Sequence, residues 1–595
     1  MSDRHFFLGV QLKNRSVLAS GILGVTFSSL KKVYEAGAGI VTTKSIGPVQ
    51  RKGHPSPVVY DWGHGLINAV GLANPGIDEF VKEFEKLDSY IPLIVSIFGQ
   101  QPEDFPALAQ KLETLQFAFL EINISCLNVM DEFGTPFSFS SVMTAQITHS
   151  VKNQTSKPVI VKLSPNTPDI ISVARAAEDA GADALCVMNT LGPGMAISTN
   201  TALPVLGNLA GGISGDAILP VTVKKVYDLY REVSIPIIGT GGITDTDSAL
   251  QVLMAGATLY GIGSALYTKG LQVFRCIEEG IEEFIHTNRF SSSEEVIGLS
   301  HRQKRGSYYN VPKRSESPEE SSRAIQFAVR PVEEILSNDD GSIKTLFFSN
   351  ADLGKPEPGQ FFMLWIPGID QKPYSISYYD NCVIGFSLIE RGAFSRALLD
   401  LQCGEPVGLL GPLGGSFELG NHHNYLLVGG GIGLAPFIFT SSELVHLGKK
   451  VSIIAGGKTS SSINWIDSLL KKLGKDERIK TYVCTEDGSS GQKGLITDFL
   501  EQVIAEVKPD FALLCGPEIF IQKTIHIFKG KGIAGQASIE RMMKCGIGIC
   551  GTCCLDDTGD RVCVEGPVFN FDYLEGIKEF GRYKRDESGA IQEID

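Results

Sequence analysis

Five cysteines fall within nineteen residues of the stretch KCGIGICGTCC (544–554) and the RVCVEGP (561–567) that follows it. Cys545, Cys550 and Cys553 give C-x4-C-x2-C, and Cys563 comes ten positions later. That is the plant-type [2Fe–2S] ligand spacing, in which thiolates hold the irons. Gly546, Gly548 and Gly551 let backbone wrap such a site and aim N–H groups at sulfur. Zinc is the alternative, since four thiolates bind it tetrahedrally, although zinc sites more often pair two C-x2-C units. Cys554 is surplus: adjacent side chains on extended chain point opposite ways, so Cys553 and Cys554 rarely ligate one cluster.

A second set of chemically able residues lies at the ends of apolar runs in the first 300 positions. Ser20, Lys44, Ser45, Asn123, Ser125, Lys162, Asn189, Thr190, Gly241 and Gly242 each close such a run. Asparagine both donates and accepts hydrogen bonds, which suits a ring with alternating N–H and C=O groups. A lysine inside an otherwise apolar strand, as in PVIVKLS, is costly to bury and points to function more than to structure. Cys126 stands just past the run FLEINIS; a lone cysteine there is commonly a small buried hydrophobe.

The elements that must position these residues are the runs themselves: SVLAS (16–20), GIVTTKS (39–45), PLIVSIFG (92–99), FLEINIS (119–125), PVIVKLS (158–164), ALCVMNT (184–190), PIIGTGG (236–242) and LYGIGSAL (259–266). Near-continuous apolar strands separated by helix-patterned segments imply a parallel sheet covered on both faces. Eight of them within residues 1–305 predict a (β/α)8 TIM barrel, with a doubly wound sheet as the structural alternative. In that barrel the C-terminal strand ends build the active site. The turns GTGG and GIGS after the last two strands fit its phosphate site, where backbone amides and a helix N-terminus hold the anion.

NAVGLANPG (68–76), EINISCLN (121–128), VKLSPN (161–166), NTLGPGMAI (189–197) and TTKS (42–45) together resemble the class 1 dihydroorotate dehydrogenases across nearly all of residues 1–305. The resemblance implies FMN in the barrel and a dihydroorotate site above it. Asn68, Asn123, Asn128, Asn189 and Thr190 would then hold the substrate. Ser20, Lys44, Ser45, Lys162, Gly215, Gly241, Gly242, Gly263 and Ser264 would hold the flavin, with Lys44 and Lys162 close to the reacting rings. Cys126 would be the catalytic base. Oxidising a saturated C–C bond beside a carbonyl needs a base for one hydrogen and a hydride acceptor for the other. A cysteine of ordinary pKa, roughly 8.5, needs little tuning for the first task. The sequence departs from the family at Leu127, where proline is usual.

Residues 323–421 carry short alternating runs without helix-length gaps, as expected for a small antiparallel β-barrel. KPYSIS (372–377) and RGAFSRALL (391–399) resemble the flavin-binding segments of the ferredoxin reductase family. The likeness implies FAD held by Lys372, Pro373, Tyr374 and Ser375, with Gly392, Ser395 or Arg396 at the diphosphate. Lys372 replaces the family's arginine and so loses its bidentate fork. Residues 422–538 return to strand–helix alternation. NYLLVGGGIGLAPF reads as strand, glycine turn and helix start, a phosphate cradle at Gly429, Gly430, Gly431 and Gly433. LLCGPE resembles the segment beside the nicotinamide and so places Cys515 and Gly516 there, though Cys515 equally suits a core thiol. NAD is expected over NADP, with Lys458 the residue able to meet a 2′-phosphate.

Residues 539–595 complete the chain as a [2Fe–2S] region, and 306–322 (within QKRGSYYNVPKRSESPEESS) read as a linker. The whole second half resembles the electron-transfer subunit of class 1B dihydroorotate dehydrogenases. The reaction expected is oxidation of dihydroorotate, with electrons passed through the cluster and FAD to NAD+. The alternatives are a flavoprotein acting on another reduced pyrimidine, such as dihydrouracil, or an electron-transfer protein whose barrel is only a platform. The chain has 595 residues, 43% of them hydrophobic, and a formal net charge of −14, which argues against nucleic acid or anionic membrane as partner. With no signal-peptide pattern and no disulfide framework, a cytoplasmic homo-oligomer, a dimer of the fused chain, is expected.

Overall fold

The structure, a computed structural model, describes residues 5–84, 91–125, 136–303, 309–312, 326–474 and 478–594. All eight predicted strands of the first half form, as Ser16–Leu18, Ile40–Thr42, Leu93–Ile97, Phe119–Asn123, Val159–Leu163, Ala184–Val187, Ile237–Thr240 and Leu259–Ile262. They are parallel and close into a barrel, the eighth pairing with the first through Tyr260 opposite Ser16. Closure removes the two free edges that a doubly wound sheet would leave. Alternate residues split between two cores. Val17, Ile40, Ile94, Phe119, Ile160 and Ile238 fill the barrel's floor with Phe7 and Leu12 of an N-terminal hairpin. Leu18, Val41, Leu93, Val95, Leu120 and Val161 face the surrounding helices.

Above the strands' C-terminal ends lies a feature too short to read in sequence. Val59–Asp61, Leu66–Asn68, Leu191–Gly194 and Gly211–Ser214 form a four-stranded antiparallel sheet over the mouth. It draws its strands from two distant loops, so tertiary pairing rather than local pattern creates it.

The runs of residues 326–420 form two four-stranded antiparallel sheets around one core that includes Phe348, Phe362, Leu364, Phe386 and Leu409. The barrel expected there is thus split at a corner. After Asp370–Ser375 the chain bends, the Ser377 amide donates to the Gly385 carbonyl at 2.9 Å, and Tyr378–Tyr379 pair in the other sheet. The nucleotide-type region is a seven-stranded sheet whose centre is Asn424–Gly430, flanked by Lys450–Gly457 and Phe511–Cys515. Its far edge is Val568–Asn570, antiparallel to Ala534–Ser538, so the sheet reaches past the boundary expected at 538.

Of the expected linker only 309–312 is described, and its start is docked: Tyr309 stacks on Phe290 at 5.6 Å, and the Asn310 amide donates to Asn288 Oδ1 at 2.8 Å. Among the described residues no helix is long and apolar enough to cross a membrane.

Candidate active site and thiol centre

The barrel mouth holds a cleft of about 1290 Å³, its open entrance included. Ser20, Lys44, Ser45, Asn68, Asn123, Lys162, Asn189 and Thr190 line it, and so do the turn residues Gly215, Gly241, Gly242, Gly263 and Ser264. Cys126, Leu127 and Asn128 lie outside the described residues.

One hydrogen-bond chain orders the polar groups. Asn189 Nδ2 donates to Ser125 Oγ at 2.9 Å, and Ser125 Oγ donates to Asn123 Oδ1 at 3.0 Å. Asn123 Nδ2 donates to Ser45 Oγ at 2.9 Å, which in turn meets Ser96 Oγ at 2.9 Å. Ser96 Oγ donates to Glu121 Oε1 at 2.8 Å, and Lys162 Nζ stands 3.8 Å from that same oxygen. The two asparagines are therefore locked in rotamer before any ligand arrives. Ser20 Oγ donates to the Thr43 carbonyl at 2.8 Å, and Asn68 Nδ2 to the Gly212 carbonyl at 3.2 Å.

Three residues here escaped the sequence reading. Glu121 is the counter-ion that makes a buried Lys162 tolerable, and a lone carboxylate inside FLEIN was its signal. Ser96 carried none. Asn166 shapes the Asn189–Thr190 loop, donating to the Thr190 carbonyl at 3.1 Å and accepting from the Gly192 amide at 2.9 Å; its place in VKLSPN was the only hint.

Lys44 is buried, and burial pushes its ammonium down to about 8, against the pull of Cys550 and Cys545 and with the push of Lys544. Those partners belong to the second half of the chain. Ile549 and Cys550 line the same cleft as Lys44, and the Leu23 amide donates to the Ile549 carbonyl at 3.2 Å. Gly551, at φ +74, lets the thiol loop lie against Leu23: an added Cβ would sit 3.1 Å from the Leu23 Cα. On its other side Gly546, at φ +74, admits Met363, whose Cγ would meet an added Cβ at 2.8 Å. Met363 is the strand partner of Pro373, so the thiol loop lies between the barrel mouth and the KPYS strand.

The four predicted ligands are all buried. Cys553 Sγ donates to Cys563 Sγ at 3.3 Å, and Cys545 is hydrogen-bonded by Cys550 and Cys563, which favours its thiolate. Among the described residues no three His, Cys, Asp or Glu side chains are arranged to hold one metal ion. Cys550, Cys545, Cys563 and Cys553 form one buried, contiguous group of four thiols, the number of donors a [2Fe–2S] cluster takes. Cys554 is buried in the barrel's outer core, packed with the barrel's apolar side chains.

At the nucleotide sheet, strand order reverses between Asn424–Gly430 and Phe511–Cys515, the point where such sheets bind ligands. A Cβ at Gly430 or Gly431 would meet nothing within 4 Å, leaving an open cradle. Gly433 differs: its Cβ would strike the Cys515 carbonyl at 2.6 Å, so it is a packing glycine. Cys515 ends its strand opposite Gly429, and burial pushes its thiol up to about 12, as for a core cysteine.

In the flavin-type region Tyr374 faces Phe394 with ring centroids 6.4 Å apart, bringing the KPYS strand beside the helix Ala393–Leu399. Gly392 is open on its Cβ side, and Ser395 Oγ accepts from the Gly392 amide at 3.0 Å. The two cations expected at a diphosphate pair with carboxylates in this structure. Lys372 Nζ is 3.1 Å from Asp370 and 3.8 Å from Glu587, and Arg396 pairs with Glu390.

Comparison with known proteins matches these regions separately. Residues 4–285 match the dihydroorotate dehydrogenase family. Residues 427–526 match the oxidoreductase NAD-binding domain, and residues 540–575 the iron-sulfur cluster binding domain of dihydroorotate dehydrogenase B. The dihydroorotate dehydrogenase B (NAD(+)) catalytic subunit of Methanothermobacter thermautotrophicus is 41% identical over 293 residues, 49% of this chain and 96% of the relative. That of Pyrococcus furiosus is 44% identical over 300 residues, 50% and 99% of the two chains. A solved chain described as an NADH-dependent reduced ferredoxin-NADP oxidoreductase overlays with a TM-score of 0.38 at 22% identity, covering 42% of this chain and 93% of its own.

Proposed function

Because the chain belongs to the dihydroorotate dehydrogenase B family, we propose that it oxidises dihydroorotate to orotate and delivers the electrons to NAD+ along one polypeptide. The observation that carries this is the shared cleft: Ile549 and Cys550 of the thiol loop line the same cavity as Lys44, Asn123 and Asn189. The balance is dihydroorotate plus NAD+ giving orotate, NADH and a proton. The residues present fit the groups this needs: a glycine-turned cleft with two buried lysines for FMN, grouped buried thiols for a [2Fe–2S] cluster, and open glycine cradles for FAD and NAD. Bound there, FMN supplies the hydride acceptor, the cluster a one-electron relay, and FAD the hydride donor to NAD+.

The chain's own residues do the rest. Asn123 and Asn189, fixed through Ser125, present amide groups to the substrate ring, with Asn68 and Thr190 beside them. Lys44 offers a buried cation to the substrate's carboxylate and flavin. Lys162, facing Glu121, presents its ammonium group near the end of its strand. Cys126, with Asn128 nearby in sequence, removes the proton from the ring carbon next to the one that loses hydride. Gly215, Gly241, Gly242, Gly263 and Ser264 turn backbone toward the flavin phosphate. Lys372, with Gly392 and Ser395, lies toward the FAD diphosphate, exchanging its carboxylate partners for the phosphate when FAD binds.

The division we propose is 1–305 for the barrel, 323–421 for the flavin region, 422–538 for the nucleotide region and 539–595 for the thiol region, which lends a strand to its neighbour. Action on another dihydropyrimidine is not supported, because the relatives carry dihydroorotate in their names. A barrel serving only as a platform is disfavoured by the preordered asparagines. Exposed thiols at Cys276, Cys382 and Cys403 suit a cytoplasmic setting, and the exposed Met195, Ile197 and Leu203 offer a face for a second copy.

Anaerobic titration of the purified protein tests the proposal. Dihydroorotate should bleach two flavins and one cluster, and NADH should do the same from the other end. No response to dihydroorotate would contradict it.

A further inference from the structure

The hairpin formed by Tyr583–Arg585 and Ile591–Glu593 lies beyond the residues matched by the iron-sulfur family and is given no role by it. Its contacts join the barrel, the thiol region and the flavin-region strand. Arg585 is buried and spends all five of its N–H groups. Nη1 donates to Glu83 Oε1 at 2.8 Å and to the Gly589 carbonyl at 2.6 Å, and Nη2 donates to Glu83 Oε2 at 3.0 Å. Nε and Nη2 donate to the two Asp556 oxygens at 2.6 and 2.9 Å. Glu83 belongs to the barrel helix Ile77–Phe84, while Asp556 directly follows the thiol loop.

The hairpin's turn adds three further ties. Gln50 Nε2 of the barrel donates to Asp586 Oδ2 at 3.1 Å and Ser588 Oγ at 2.8 Å. Glu587 reaches Lys372 on the flavin-region strand. Gly589, at φ +92, presses on the loop after the first barrel strand, where an added Cβ would sit 2.8 Å from Val25 Cγ1. That loop carries Leu23, which bonds Ile549 beside the cleft.

We propose that Arg585 is a positioning residue for electron transfer: the 583–593 hairpin clasps the thiol loop to the barrel and fixes the gap that electrons from dihydroorotate must cross. The proposal rests on the function proposed above. Arg585 touches neither cleft nor thiols, so the half-reactions at each end do not need it. Only their connection does.

The test compares the wild-type holoenzyme with Arg585→Met, Arg585→Lys and Glu83→Gln. Reduction of the barrel flavin by dihydroorotate, NADH oxidation by an artificial acceptor, and iron content should stay at wild-type levels. Dihydroorotate-to-NAD+ turnover should fall roughly tenfold or more in Arg585→Met, because small misplacements of reacting partners are costly. Lysine, which cannot reproduce the double fork, should restore little of it. Independently of activity, hydrogen exchange at residues 20–26 should quicken while the barrel strands stay protected. Should Arg585→Met lose iron or fail to fold, Glu83→Gln decides, since it leaves the Arg585–Asp556 bonds in place; slower coupled turnover and faster exchange at 20–26 are expected there too. Unchanged turnover and exchange in Glu83→Gln, or a loss confined to one half-reaction, would overturn the clasp. If wild type itself does not respond to dihydroorotate, the functional reading falls, and the exchange result still judges the clasp.

Discussion

The Leu23 amide donates to the Ile549 carbonyl at 3.2 Å, joining the loop after the first barrel strand to the thiol loop 526 positions later. This bond brings Cys550 to the wall of the barrel cleft, and the proposed route from a barrel to its own second half rests on that contact. The consequences separate cleanly by region.

Cys553→Ser should lose the cluster's absorbance and iron, because it removes one of the proposed ligands. Cys554→Ser should keep both. Its cost is instead one of stability, about 1–3 kcal/mol for an unpartnered hydroxyl in the apolar seam. Iron analysis with thermal unfolding of the two variants checks this, and iron loss in Cys554→Ser would contradict the ligand set.

Glu121→Gln removes the carboxylate facing Lys162 within the barrel. Breaking a buried pair from one side costs about 3–5 kcal/mol. A lower Tm and weakened FMN retention are expected, with NADH oxidation by the second half intact. A Tm equal to wild type would show that Glu121 does not support Lys162.

Gly430→Ala and Gly433→Ala should fail in opposite ways. The first projects a methyl into open space at the cradle, so the KM for NADH rises while Tm holds. The second collides with the Cys515 carbonyl, so Tm falls first. Equal effects on both quantities would show that the two glycines share one role.

Cys126→Ser should abolish most dihydroorotate turnover while NADH still reduces FAD, since serine is a far weaker base at neutral pH. Unchanged turnover would remove Cys126 as the base.

How much was legible depended on where the signal lived. The barrel strands were readable because strands buried on both faces are near-continuously apolar, as in PVIVKLS and ALCVMNT. The iron-sulfur region was readable because the spacing of its cysteines along the chain is itself the signal. Glu121 was not, because its meaning depends on Lys162 two strand positions and 41 residues away. The strand Val568–Asn570 and the sheet over the mouth were missed because strands of three or four residues carry no periodicity. The partners of Lys372 were not legible either: Asp370 and Glu587 come to it from a strand position two residues away and from a distant hairpin turn. The seam at Leu23, Lys44, Ile549 and Cys550 is a contact between distant segments that no local pattern encodes.

The central claim is that dihydroorotate reduces the cluster of its own chain. Anaerobic rapid mixing with dihydroorotate across a wide range of protein concentrations tests it most directly. The account predicts that flavin and cluster bleach in sequence, with a cluster rate constant that does not change with protein concentration. A cluster that stays oxidised while flavin bleaches, or a rate that rises in proportion to concentration, would contradict it.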